Sequence, residues 1–146
     1  MDSQLAAKVL LVDDEAEFID LMSQRLETRG LRVVTVQSGE EAVSQVADHN
    51  FDVAVVDLAM PGIDGIETLK QIKAERPDMM VLMLTGQATV KSGIEAMKHG
   101  AMDFLEKPVD LTVLMEKIWQ AKRERMRVLE KKSSEEMKNI MKSKSW

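Results

Sequence analysis

The 146-residue chain has no cysteine, so disulfides, a thiolate nucleophile and a Cys-based metal site are all excluded. No apolar run approaches the roughly 20 residues a membrane-spanning helix needs. The opening MDSQLAAK lacks the basic-then-apolar layout of a secretory leader. A cytoplasmic protein with no membrane span is the expectation. Aromatics make up only 3% of the chain, against 12 methionines, so Met is expected to fill core gaps. Neither G-x-G-x-x-G nor G-x-x-x-x-G-K-[ST] occurs, which argues against a nucleotide-binding module.

Charge is unevenly placed. The net −5 divides into −10 over residues 1–119 (11 Lys/Arg against 21 Asp/Glu) and +5 over residues 120–146 (9 against 4). An acidic body argues against direct DNA binding by residues 1–121. A 45% hydrophobic composition at this length suffices for one domain with its own core.

Short apolar runs alternate with helix-like stretches. VLLVD (9–13), LRVVTVQ (31–37), DVAVVD (52–57), MMVLMLT (79–85) and the weaker MDFLE (102–106) have strand length, and three are continuously apolar, as strands buried on both faces are. The first helix places Phe18, Leu21, Met22 and Leu26 on one face and stops at Gly30. Ser38 three residues before Glu41 is a capping-box signature for the second. The third carries Ile66, Leu69 and Ile72 and ends before Pro77. The fourth spans 88–100, and the last starts near Leu111. Five strand-then-helix repeats predict an α/β fold, a doubly wound parallel sheet with right-handed crossovers and helices on both faces.

In such sheets ligands sit outside the carboxyl ends of the strands. The first strand ends in Asp13 and Asp14, the third in Asp57, the fourth in Thr85-Gly86, and the fifth runs into Lys107-Pro108. With strands about 4.8 Å apart, one crevice collects three carboxylates, a hydroxyl and an ammonium. Two carboxylates about 5 Å apart repel by roughly 3 kcal/mol at an effective dielectric near 20. A shared cation removes that cost, and hard oxygen ligands without His or Cys select Mg²⁺. Asp57 is then a candidate nucleophile for an aspartyl-phosphate, with Thr85 and Lys107 facing the phosphoryl oxygens.

The set LLVDDE, VVDLAMPGIDGIE, LMLTGQA and GAMDFLEKPVD resembles the receiver domain of two-component response regulators over about residues 7–121. The resemblance implies five strands in the flavodoxin-like order 2-1-3-4-5. It also implies that Asp57 accepts a phosphoryl group from the His of a sensor histidine kinase, from a phosphotransfer protein or from a small phosphodonor. By the same resemblance Asp14, Asp57 and the Ala59 carbonyl hold Mg²⁺, Asp13 acts through water, and Lys107 and Thr85 contact the phosphoryl group. Phe104 takes the place of the switch aromatic, which turns inward with Thr85. Lys107-Pro108 is expected to be cis, and Ala59 and Gln87 flank the approach to the phosphoryl group and help set its lifetime. Such a protein phosphorylates and dephosphorylates itself without being a conventional turnover enzyme. A haloacid-dehalogenase-type phosphatase fits less well, because its Asp-x-Asp motif belongs on the first strand.

Plainer readings stand beside these. Thr85 could be a helix N-cap and Phe104 core filler; His49 and His99 suit helix C-termini. Gly93 either permits close packing or loosens the fourth helix, at about 1 kcal/mol relative to Ala. Residues 122–146 form a basic tail with no Pro or Gly. Met126, Leu129, Met137 and Ile140 give an imperfect heptad-like stripe there, while Ser133 with Glu136 could cap a separate short helix. The output is expected through the fourth helix, fifth strand and last helix, toward a homodimer or an unknown output protein. The alternative is a receiver fragment of a longer regulator with an effector domain.

Overall fold

The computed structural model describes residues 6–60, 62–86 and 89–143. Five parallel strands, β1 (Lys8–Val12), β2 (Arg32–Val36), β3 (Val53–Asp57), β4 (Met80–Thr85) and β5 (Asp103–Glu106), lie in the order β2-β1-β3-β4-β5. Helices α1 (Ala16–Thr28), α2 (Gly39–Asp48), α3 (Gly65–Glu75), α4 (Val90–Lys98) and α5 (Leu111–Ser143) alternate with them. The strand order is the expected one.

Strand side chains alternate in direction, so continuous apolar runs feed two cores. Leu10, Val12, Ala54, Val56, Val81 and Met83 meet Ala42, Val46, Ile66, Leu69 and Ile72 on the face covered by α2, α3 and α4. Val9, Leu11, Val53, Val55, Leu82 and Leu84 meet Ile19, Met22, Leu26, Leu114 and Ile118 on the face of α1 and α5. Met79, Met80 and Met83 are among the buried residues, as the scarcity of aromatics implied. On α1 the buried stripe is Ile19, Met22 and Leu26, while Leu21 is 49% exposed. At 100° per residue, Leu21 lies about 130° from the centre of the i, i+3, i+7 stripe, and Ile19 takes the core position.

Caps set several boundaries. Ser38 Oγ accepts the Glu41 N–H at 3.1 Å, but the Glu41 carboxylate takes the N–H of Gln37, one residue earlier than a strict capping box requires. Thr89 and Ser92 cap α4 reciprocally, so Thr85 is not the cap of that helix; it ends β4 with 1% exposure. The carboxylate of Asp110 accepts the N–H of Thr112 at 2.7 Å at the start of α5. His49 and His99 are the C-caps of α2 and α4, and Gly30 closes α1 with φ +91°. A Cβ on Gly93 would meet only Phe104, at 4.0 Å, so close packing does not require glycine there.

Helix α5 is continuous through Ser133 and Glu136, so no separate short helix forms. At 1.5 Å per residue its 33 residues span about 50 Å. It docks on the body as far as Arg125 and Val128, and every residue from Leu129 to Ser143 is exposed. Arg125 is 8% exposed: its guanidinium donates to Asp78 and Asn50, at 3.1 and 2.6 Å, and to Asp52 at 3.2 Å. Sequence patterning gave no hint of this cluster, because it joins positions 47 to 75 residues apart. Among the described residues no helix is long and apolar enough to cross a membrane.

Candidate functional site at the carboxyl edge

The register of the sheet builds the site. Val12 pairs with Val56, so the next residues, Asp13 and Asp57, leave the sheet side by side. Asp57 itself pairs with Leu84, which brings Thr85 to the neighbouring strand end, and Thr85 in turn pairs with Glu106 beside Lys107. Lys107 donates its backbone N–H to the Thr85 carbonyl at 2.8 Å, and the Lys107-Pro108 bond is cis. Helix α3 must start close to Asp57, and Gly65 permits it. A Cβ there would sit 2.4 Å from the Asp57 carbonyl oxygen and 2.5 Å from Leu58 Cα, both backbone atoms that cannot yield. Gly62 turns the loop between β3 and α3 with φ +79°, and Asp64 caps α3 by accepting the Glu67 N–H. Pro61 and Gln87 lie outside the described residues.

Carboxylate oxygens of Asp13, Asp14 and Asp57 all lie within 4.8 Å of one another. Asp13 and Asp57 are 1% and 5% exposed, while Asp14 faces solvent. Asp13 Oδ1 accepts the Glu15 N–H at 2.9 Å, and Asp57 Oδ1 accepts the Ala59 N–H at 3.4 Å. The Lys107 ammonium touches Asp13 Oδ2 at 2.6 Å and Glu15 Oε1 at 3.1 Å, and stands 3.9 Å from Asp57 Oδ2. It also lies 4.2 Å from the centroid of the Phe18 ring. Three carboxylates therefore face the Lys107 ammonium, Asp14 adds a fourth negative charge nearby, and the electrostatics reflect the deficit. Burial and the charge of Asp13 push the Asp57 carboxyl from 3.8 up to about 6, against the opposing pull of Lys107 and the Ala59 N–H. Burial alone would lower the pKa of Lys107. The hydrogen bond and charge of Asp13, with Asp57 and Glu15, outweigh it and raise the pKa.

The donor set fits Mg²⁺. It consists of hard oxygens only, carries excess negative charge, and is open to solvent on the Asp14 side, so a partly hydrated ion can be held. The sequence-predicted residues thus converge: Asp13, Asp14, Asp57 and Lys107 in direct proximity, Thr85 at the adjoining strand end, and Ala59 in the following loop. Phe104 stands apart on β5, half-buried against the core beneath α4, beside a groove lined by Val90, Gly93, Ile94 and Met97. Glu15 and Phe18 were not anticipated as site residues. Their only sequence signal is position in the first turn of the helix that follows the acidic pair.

A family model described as the response regulator receiver domain matches residues 9–119, and the chain belongs to that family. It is 39% identical over 102 residues to the transcriptional regulatory protein ZraR of Escherichia coli, covering 70% of this chain and 23% of that protein. It is 35% identical over 126 residues to the C4-dicarboxylate transport transcriptional regulatory protein DctD of Pseudomonas aeruginosa, covering 86% and 27%. The chain thus spans about a quarter of the length of these relatives. Among solved structures it resembles a response regulator receiver domain from Clostridium thermocellum, with TM-score 0.79 and 34% identity over 84% of this chain and 98% of that one. It also resembles the beryllofluoride-activated NtrC4 receiver domain dimer, with TM-score 0.77 and 35% identity over 81% and 98%.

Proposed function

We propose that this receiver domain is a Mg²⁺-dependent phosphoacceptor switch in which Asp57 takes a phosphoryl group from a sensor histidine kinase, a phosphotransfer protein or a small phosphodonor. The observation that carries the reading is the under-neutralised cluster: Asp57 lies within 4.8 Å of two other carboxylates and 3.9 Å from the Lys107 ammonium. An Asp57 carboxylate oxygen attacks phosphorus, and the bond from phosphorus to the donor's imidazole nitrogen or acyl oxygen breaks. The leaving group departs with its electron pair, and the imidazole takes up a proton from solvent. Asp14, Asp57 and the Ala59 carbonyl would hold Mg²⁺, with Asp13 reaching it through water. The bound ion supplies positive charge against the phosphoryl oxygens. Lys107 and the Thr85 hydroxyl bind those oxygens as charge develops on them.

The output is a change at the face made by α4, β5 and α5. Val90, Ile94 and Met97 are 82%, 52% and 50% exposed and form an apolar strip along α4. Thr85 and Phe104 link the phosphoryl site to that face, and a local charge can shift it only by biasing an element with two arrangements. The activated receiver dimer among the similar structures supports a homodimer, and the exposed apolar residues of α4 favour this face, with α5, as its interface. Acetyl phosphate with Mg²⁺ tests the chemistry: intact mass spectrometry should show one added phosphoryl group, absent in Asp57→Asn. A phosphoryl group mapped to His49 or His99 would overturn the assignment.

A further inference from the structure

The Lys107 ammonium is not aimed at the phosphoacceptor. Its two short contacts are Asp13 and Glu15, Asp57 lies beyond hydrogen-bond distance at 3.9 Å, and the ammonium nitrogen stands over the Phe18 ring, 4.2 Å from its centroid. Glu15 and Phe18 come from one place, the N-cap and first turn of α1. A cation held by Asp14 and Asp57, and reached by Asp13 through water, would weaken the pull of Asp13 on the ammonium. What then keeps Lys107 from an incoming phosphoryl group is Glu15, 66% exposed and screened by water, and the ring face of Phe18.

We propose that Glu15 and Phe18 form a resting station for Lys107, and that these two positioning residues set how readily its ammonium is handed to a phosphoryl group at Asp57. The inference rests on the reading of Lys107 as the phosphoryl contact. The station is a ground-state interaction: it stabilises the unphosphorylated arrangement and is given up when the lysine moves. Weakening it therefore speeds phosphorylation and leaves dephosphorylation unchanged, since both the phosphorylated state and its hydrolytic transition state keep Lys107 on the phosphoryl oxygens. Loss of a cation–π contact of this exposure corresponds to about a two- to fivefold faster reaction. Phe18 also packs partly on the core beneath α1, so a truncation to Ala would confound the two roles. Phe18→Leu keeps an apolar side chain without the ring, and Phe18→Tyr keeps the ring.

The full chain, with Phe18→Leu, Phe18→Tyr, Glu15→Gln, Lys107→Gln and the Phe18→Leu/Lys107→Gln pair, is assayed with acetyl phosphate and Mg²⁺. In parallel, NMR follows the Lys107 ε-methylene protons, which the Phe18 ring current moves upfield. Phe18→Leu and Glu15→Gln should phosphorylate two- to fivefold faster with unaltered phosphoryl lifetimes, and Phe18→Tyr should match the parent. The ε-methylene signal should move downfield in Phe18→Leu, and likewise in the parent protein on adding beryllofluoride. In the Lys107→Gln background Phe18→Leu should have no effect. A Lys107→Gln protein as fast as the parent would sink the phosphoryl-contact reading and the station with it. If Lys107→Gln is slow but Phe18→Leu changes neither rate nor signal, the station alone is wrong.

Discussion

Asp57→Asn should make the metal-free protein more stable near neutral pH. The carboxyl of Asp57 titrates at about 6 in the fold against 3.8 for an unperturbed group, through burial first and the charge of Asp13 second. A raised folded pKa means that the native state binds the proton more tightly than the unfolded chain does. The cost of ionising Asp57 is therefore absent below about pH 3.8, grows between there and about 6, and is fully present above. At about 1.4 kcal/mol per pH unit, the rise from 3.8 to about 6 corresponds to roughly 3 kcal/mol. Asn keeps an oxygen to accept the Ala59 N–H and removes the charge. The full gain is thus expected at pH 7.5 and little or none at pH 4. For a domain of this size, it is worth roughly 6–12 °C in melting temperature.

Urea unfolding in EDTA, followed by circular dichroism at the two pH values, measures this. The midpoint should rise at pH 7.5 with an unchanged m-value, and the two proteins should coincide at pH 4. An Asp57→Asn protein that is destabilised at pH 7.5, or whose gain is the same at both pH values, would refute the account of a carboxylate held ionised against burial and its neighbours.

Magnesium should recover part of the same energy in the parent: at tenfold above its Kd the stabilisation is about 1.4 kcal/mol. Thermal melts with and without the ion should differ for the parent and converge for Asp57→Ala. Arg125→Ala should cost about 3 kcal/mol or more in chemical denaturation, because it leaves the Asp52 and Asp78 carboxylates without their shared guanidinium. Beryllofluoride should raise the dimer fraction in sedimentation velocity. Truncation after Glu130, beyond the docked part of α5, should weaken that gain by removing Met137 and Ile140, 58% and 50% exposed; a full chain that binds beryllofluoride yet stays monomeric would direct the tail to another protein.

The strands and the acidic pocket were legible because one physical demand wrote both. Parallel strands buried on two faces must be continuously apolar, so an acid at such a run's end is conspicuous. Asp13, Asp14 and Asp57 announced themselves in this way. Local chemistry was less reliable. Helical spacing groups Leu21 with Phe18, Met22 and Leu26, yet Ile19 on the other side of the wheel from Leu21 is the buried residue, and the capping role open to Thr85 falls to Thr89 and Ser92 at that end of α4. What stayed illegible was the pairing of long side chains across the fold. Lys107 meets Asp13 and Glu15 across 94 and 92 positions, and no periodicity in the sequence encodes the reach of a flexible ammonium.

The two edges of the sheet meet similar electrostatic demands with opposite results. At the amino edge Asp52 and Asp78 share the Arg125 guanidinium, whose planar fork also reaches Asn50, while Asp52 accepts the backbone N–H of Lys8 at 2.9 Å. That cluster is closed, and it fixes the last docked turn of α5 to the loops entering β3 and β4. At the carboxyl edge, among the described residues, the flexible Lys107 ammonium faces Asp13, Glu15 and Asp57 with Asp14 close by, and Asp57 shows the shortfall in its raised pKa. Arg suits the first task because its donors are fixed in a plane; Lys suits the second because one charge on a mobile stem can change partners. An incoming cation or phosphoryl group therefore finds one end of the sheet already satisfied and the other short of positive charge. Any rearrangement driven by that shortfall starts at Asp57 and Lys107, while the Arg125 cluster holds the exposed end of α5 to a fixed base.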